Sequence, residues 1–425
     1  MQQIQSSGGF VGRLAFADDA GYEAYVDKLL RHEREPAPQP RGRALFFTVH
    51  DGSSATRAGH RSLIEPGVEV VRRHQLAGEF PAREVVAFGE SVDTTPDELL
   101  DGAAVDEPGV LFSVSHGEGA PRGGWRDPAE QRRRQGAMSF GREGALTGAD
   151  LTNCTFMPGG IWFMLACYGA GTPSTSGYHH WLARLRDAGQ FRGSVEAVLA
   201  GLPAPDQRPF VAALPQALLK NPNGPLAFIG HVDLAWTYSF MDSGSGSAPR
   251  PARFMRVMRS LSKRDRVGVA MRELSRYFEQ TNTELTTLSD EQAQATALGL
   301  DYEVDLARQG HLWMLRQDLA GYIALGDPAV RLATADPAAT VVRESVPSIE
   351  LRTAVATETE DVASAELLPT LTMSELDRLE EAIAHVMLGD VALLSLAADL
   401  GRTRGELERL AAAYRAAGRK TLTRE

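Results

Sequence analysis

Cysteine is nearly absent from this chain: its 425 residues hold two, Cys154 and Cys167. Two thiols cannot build the disulfide framework of a small secreted domain, and with no closely spaced histidine pair they lack zinc-ligand spacing. No metal or cofactor is expected. Long apolar runs are lacking as well, none approaching the ~20 residues that cross a bilayer. The start, Met1-Gln-Gln-Ile-Gln-Ser-Ser-Gly-Gly, has neither the basic residues nor the apolar core of a secretion signal. A cytoplasmic protein without membrane contact is the expectation. Positive charge is in deficit, 44 Lys and Arg against 55 Asp and Glu for a formal net charge of −11, so general affinity for nucleic acid is not expected. Neither Gly-x-x-x-x-Gly-Lys nor Gly-x-Gly-x-x-Gly after a strand occurs, so nucleotide chemistry has no foothold. No repeat period stands out.

What the chain does have is a set of short buried-strand patterns. Ala44 to His50, Glu84 to Phe88, Val110 to Ser115 and Leu226 to Gly230 are apolar runs of strand length. Between them, Val68 to His74, a start at Pro96 to Leu100, His179 to Ala188 and Val211 to Leu219 read as helices. Strands alternating with helices predict an α/β fold, a mostly parallel sheet with helices on both faces.

Two of the apolar runs end on reactive side chains. Val110-Leu-Phe-Ser-Val-Ser-His-Gly117 breaks off at a histidine, and Ile161-Trp-Phe-Met-Leu-Ala-Cys167 at a cysteine. Neighbouring strands ending this way place an imidazole and a thiol at one edge of the sheet. A cysteine nucleophile needs such a neighbour, because the free thiol is mostly protonated at neutral pH and the thiolate is what attacks. His116 and Cys167 are therefore the candidate catalytic pair. Read singly, each could as well be structural, a small buried hydrophobe and a strand terminus.

The His-Gly pair followed by the Ala-Cys pair, 51 residues apart, resembles the caspase-like cysteine peptidases, in particular the gingipain-like and CHAT-type proteases. Pro225-Leu-Ala-Phe-Ile-Gly-His-Val-Asp-Leu-Ala-Trp236 is similar to the gingipain strand that follows the cysteine. Tyr322-Ile-Ala-Leu-Gly-Asp-Pro-Ala-Val-Arg-Leu332 is similar to the segment that closes such catalytic domains. The resemblance spans roughly residues 40 to 332 and rests on the order of four motifs. It implies hydrolysis of protein substrates, with His116 as base or charge partner and the backbone N–H groups of Gly117 and Cys167 as oxyanion hole. It also implies a pocket for the residue before the scissile bond, walled by Trp236. Asp51, where the group draws a specificity residue, and Asp233 are candidates for a carboxylate there, which would favour a basic residue; Asp51 could instead cap the Asp-Gly-Ser-Ser turn.

The expected organisation is an N-terminal extension over residues 1–40, a catalytic domain over 41–333, a polar linker over 334–370 and a small helical domain over 371–425. Thr372-Met-Ser-Glu375 has capping-box spacing, and Leu376, Leu379, Ile383 and Met387 follow at helical intervals. Relatives of this kind are often switched on by a partner or by cleavage, which makes residues 371–420 a candidate module for an activating adaptor protein. The arginine-rich loop Gly119 to Gly148 is expected to overhang the site. Arg250 and Arg253, beside a Gly/Ser stretch, mark a candidate self-processing site. Two rival readings remain: a catalytically silent scaffold that recruits partners through the helical tail, and a different cysteine enzyme such as a transferase or deamidase.

Overall fold

The central sheet follows from strands that are apolar on both sides. We describe a computed structural model, which covers residues 9–335 apart from 36–38, 90–93, 122, 188, 190–194, 204–207, 242–247 and 303–304. Seven strands make the sheet: β1 (Gly12–Arg13), β2 (Arg43–Thr48), β3 (Val85–Phe88), β4 (Gly109–Val114), β5 (Ile161–Leu165), β6 (Ala227–His231) and β7 (Tyr322–Gly326). Their order is β1-β7-β6-β5-β4-β2-β3, with β2 to β6 parallel and β7 antiparallel to β6. This is the α/β sheet expected from the sequence. β4 and β5 are buried along their whole length, as strands covered on both faces must be.

Alternation sends successive side chains to opposite layers. Phe46, Val110, Phe112, Phe163 and Leu165 pack on one face beneath helices Glu65–Leu76 and Ala252–Ser262, with Val68, Val71, Phe254 and Met258 between. Leu45, Phe47, Leu111, Trp162 and Met164 fill the other face with Leu214 and Leu218 of helix Ala213–Lys220. Each such side chain contributes about 1.5–3 kcal/mol by leaving water. Ser113 is the polar exception within β4, and its hydroxyl accepts from the indole N–H of Trp162 at 2.8 Å.

Residues 12–34 are fastened to the same sheet. β1 pairs with β7, and the helix Asp19–Arg34, capped by Asp18, buries Tyr25 and Lys28. The Lys28 ammonium donates to the carbonyls of Leu219 at 2.7 Å, Asn221 at 2.9 Å and Leu218 at 3.4 Å, which satisfies the open C-terminal end of helix Ala213–Lys220. The Tyr25 hydroxyl donates to Leu226 O at 2.8 Å and accepts from Asp327 N–H at 2.7 Å.

Two elements go beyond the sequence reading. After helices Val267–Ala297 and Leu306–Ala320 the chain turns at Gly321 into β7, a strand absent from the runs identified in the sequence. Five apolar residues carry no period of their own, and pairing with β6 decides their state. The Asp-Gly-Ser-Ser turn at 51–54 leads straight into a short helix, Ser54–Gly59, whose first turn is capped by the Ser53 hydroxyl. The linker at 334–370 and the helical unit at 371–425 fall outside the described residues beyond Ala335.

Candidate active site

In an open parallel sheet, ligands meet the carboxyl ends of the strands where the strand order reverses. Here the chain runs outward from β2 to β3 and then returns to place β4 on the other side of β2, so the reversal lies between β2 and β4. Asp51, His116 and Cys167 leave the sheet at that edge, after β2, β4 and β5 respectively.

Register explains why the imidazole and the thiol meet. Val110 lies beside Ile161 and Val114 beside Leu165, an offset of 51 that also separates His116 from Cys167. Both residues stand two positions beyond the end of their strands, on the face to which Val114 and Leu165 point. They line one cleft of about 380 Å³, together with Trp236 and Phe240. The main chains are in contact: a Cβ built on Gly117 would overlap the Cys167 carbonyl oxygen and come within 2.8 Å of its carbon. Glycine is therefore a steric requirement at 117. His116–Gly117 also pairs with Met138–Ser139, and the Glu118 N–H bonds across that ribbon to Ala137 O at 2.8 Å. By antiparallel alternation the intervening Gly117 N–H turns away from the ribbon.

Behind the imidazole stands a bracket that the sequence did not announce. His116 Nε2 is 3.0 Å from the Ser53 hydroxyl and 3.8 Å from Asp51 Oδ2. The Asp51 side chain is 7% exposed, and its Oδ1 accepts from the Ser53 N–H at 3.0 Å and the Thr56 hydroxyl at 2.8 Å. Burial pushes this carboxyl up, but the Ser53 N–H, the Thr56 and Ser53 hydroxyls and the imidazole outweigh it and hold it below the usual range. With Nε2 occupied, Nδ1 is the nitrogen left to exchange a proton with sulfur or substrate. If His116 and Cys167 act as a catalytic pair, Asp51→Asn and Ser53→Ala are each expected to lower kcat about tenfold with KM nearly unchanged at fixed pH.

Cys167 rests in its neutral form. No hydrogen bond joins its sulfur to His116 among the described residues; the thiol is 3.6 Å from Ala235 O, to which it donates. The residue is partly exposed, but the sulfur turns inward. Burial, with smaller contributions from Asp318 and Asp233, pushes the thiol up to about 11. At pH 7 that leaves roughly one thiolate in 10⁴, so alkylation by iodoacetamide should be slow and quicken about tenfold per pH unit toward 11. Mass spectrometry of Cys167-containing peptides after timed labelling measures this. Both cysteines are free, and Cys154 is partly buried away from any such partner set.

Backbone strain marks the same spot. Tyr168, directly after the cysteine, has φ 55, one of three non-glycine residues with positive φ among those described. Such a conformation costs on the order of 1–3 kcal/mol and survives only where its surroundings fix it. The Tyr168 N–H donates to Asp233 O at 2.8 Å, and the Gly171 N–H closes the turn onto Tyr168 O at 2.9 Å.

Asp233 and Asp51 do not line the cleft. The Asp233 carboxylate is buried and accepts from Leu234 N–H at 2.8 Å, Gly177 N–H at 3.1 Å and Ser176 Oγ at 3.1 Å, tying the 176–177 loop to the strand end. Burial raises it to about 6 in spite of those donors. Trp236 does face the cleft, packed against Tyr178 and Tyr238. The Trp236 backbone N–H donates at 2.9 Å to Asp318, a fully buried carboxylate that also takes the Ser239 N–H at 2.8 Å and that burial raises to about 7. Asp318 sits on a helix 82 residues from Trp236, and no local pattern signals it.

Glu118 is paired with Arg134, Oε2 to Nε at 2.9 Å, and takes no part in holding the imidazole. The loop from 119 to 148 contributes Gly119 and Ala120 to the cleft rim and holds the helix Pro128–Arg134. No group of three or more potential metal ligands occurs among the described residues, and no described helix is long and apolar enough to cross a membrane.

Comparison with family models, with curated proteins and with solved structures finds no match to this chain.

Proposed function

We propose that this chain is a cysteine endopeptidase acting through Cys167 and His116. The observation that carries the reading is the shared register: a thiol and an imidazole at equivalent strand ends, on one face, opening into one cleft at the reversal point of the sheet. The strained turn at Tyr168 and the Asp51–Ser53 bracket behind His116 support it.

In this mechanism the thiol leaves Ala235 O and passes its proton to His116 Nδ1. Sulfur then attacks the scissile carbonyl carbon, and the developing oxyanion is met by the Gly117 and Cys167 N–H groups. The imidazolium returns the proton to the departing amine as the C–N bond breaks. Water, deprotonated by the same ring, hydrolyses the acyl-sulfur bond and restores the thiol. Asp51 stabilises the imidazolium in both halves. No metal or cofactor enters the scheme, and the substrate is a protein chain.

The neutral thiol held on Ala235 is the feature of a resting enzyme, which fits conditional activation. An activating adaptor bound through 371–420 lies outside the described residues, as does part of the Gly/Ser stretch ahead of Arg250 and Arg253. The same thiol contact is also what a catalytically silent scaffold would have. Hydrolysis of an unfolded protein by wild type, lost in Cys167→Ala, separates the two; absence of turnover together with failure of any peptidyl ketone to label Cys167 would leave the scaffold.

A further inference from the structure

We infer that the cleft selects a large apolar side chain before the scissile bond and rejects charged ones. This rests on the peptidase reading. The walls beside the two reactive groups are Val114, Leu165, Val198, Leu234, Trp236 and Phe240, and the polar lining is hydroxyl-bearing, Thr56, Ser115, Tyr168 and Thr237. His116 is the one ionisable group among the described lining besides the Cys167 thiol and the Tyr168 phenol.

Carboxylates do lie nearby, but each is turned away and already engaged. Asp51 holds the Ser53 N–H, the Thr56 hydroxyl and the imidazole. Asp233 holds the N–H groups of Gly177 and Leu234, and Asp318 those of Trp236 and Ser239. An arginine or lysine in this cleft would surrender its water without gaining a paired acceptor. An aspartate would find no arginine or lysine among the described lining residues. An unpaired charge in an apolar site is penalised by several kcal/mol, whereas leucine, methionine or phenylalanine gains by covering these walls. A volume of about 380 Å³ accommodates such a side chain together with the adjoining peptide.

The test uses the full-length protein and a series of peptidyl acyloxymethyl ketones identical except for leucine, phenylalanine, arginine, lysine or aspartate in the position before the warhead. Cys167 labelling rates are followed by intact-mass spectrometry. Leucine and phenylalanine probes are expected to label at least ~100-fold faster than the three charged ones, the discrimination that an unpaired buried charge produces. In Ala55→Asp, a carboxylate is placed on the exposed first turn of a helix that lines the cleft, where an acidic residue is tolerated. The ratio of arginine to leucine labelling should then rise about tenfold or more, in keeping with a new charge pair. Faster labelling of wild type by the arginine, lysine or aspartate probe, or equal rates for all five, overturns the apolar pocket and leaves the peptidase intact. No labelling of Cys167 by any probe, with none in Ala55→Asp, overturns both.

Discussion

Replacing Cys167 with alanine should reduce peptide-bond hydrolysis by at least about 10⁴-fold, the scale of loss when a covalent nucleophile is removed from an otherwise intact site. Folding should survive the change. The thiol makes one weak hydrogen bond, to Ala235 O at 3.6 Å, and the residue is already partly exposed. A loss of about 1 kcal/mol shifts the melting temperature of a domain this size by only about 2–4 °C. Paired measurements of turnover and thermal unfolding therefore separate chemistry from stability. Cys154→Ala provides the control, with activity kept. Turnover retained in Cys167→Ala would remove this residue from the mechanism altogether.

The second large effect is expected at a residue with no side chain. Gly117→Ala would drive a methyl group into the Cys167 carbonyl, with the carbon 2.8 Å and the nitrogen 3.2 Å away. Backbone atoms on adjoining strand ends cannot swing aside as a flexible side chain can. One or both chains must shift, at roughly 1–3 kcal/mol or more in stability. A displacement of about 1 Å at the nucleophile can cost on the order of 10²-fold in rate. Gly117→Ala should thus lower kcat by at least that factor even in the fraction that folds, as read by active-site labelling against total protein. Gly123→Ala, where an added Cβ meets nothing within 4 Å, should change stability by no more than about 0.5 kcal/mol.

Some of this architecture could be read before any coordinates, for identifiable reasons. Strands buried on both faces are written as unbroken apolar runs, so β2, β4, β5 and β6 were visible as Ala44 to His50, Val110 to Ser115, Ile161 to Ala166 and Leu226 to Gly230. The ends of those runs named His116 and Cys167, because a break in hydrophobicity at the carboxyl end of a parallel strand is also where the active edge lies. The Asp51–Ser53 bracket was not legible. Its meaning depends on β2 and β4 being neighbours, a pairing across more than sixty residues that no local pattern encodes. Of the two roles the sequence offers Asp51, pocket carboxylate and cap of the Asp-Gly-Ser-Ser turn, the structure shows the second, through the Ser53 N–H, and adds a face toward the imidazole. Asp318 and the Ala235 carbonyl were invisible for the same reason, since a helical aspartate and a backbone oxygen acquire a role only from what is packed against them. Nor does anything local in residues 1–40 show that the helix there is fastened to the sheet by Tyr25 and Lys28.

That fastening bears on how the molecule is made. The Tyr25 hydroxyl joins the carbonyl of Leu226 to the amide of Asp327, partners 201 and 302 residues further along. β1 likewise waits for β7. During translation the helix can therefore meet its first partners at residues 218–226, whereas the bond to Asp327 and the β1–β7 pair form only when nearly all of the described chain has left the ribosome. The far side of the sheet is in this sense closed last, and a nascent chain stalled before Tyr322 leaves β1 without its partner strand.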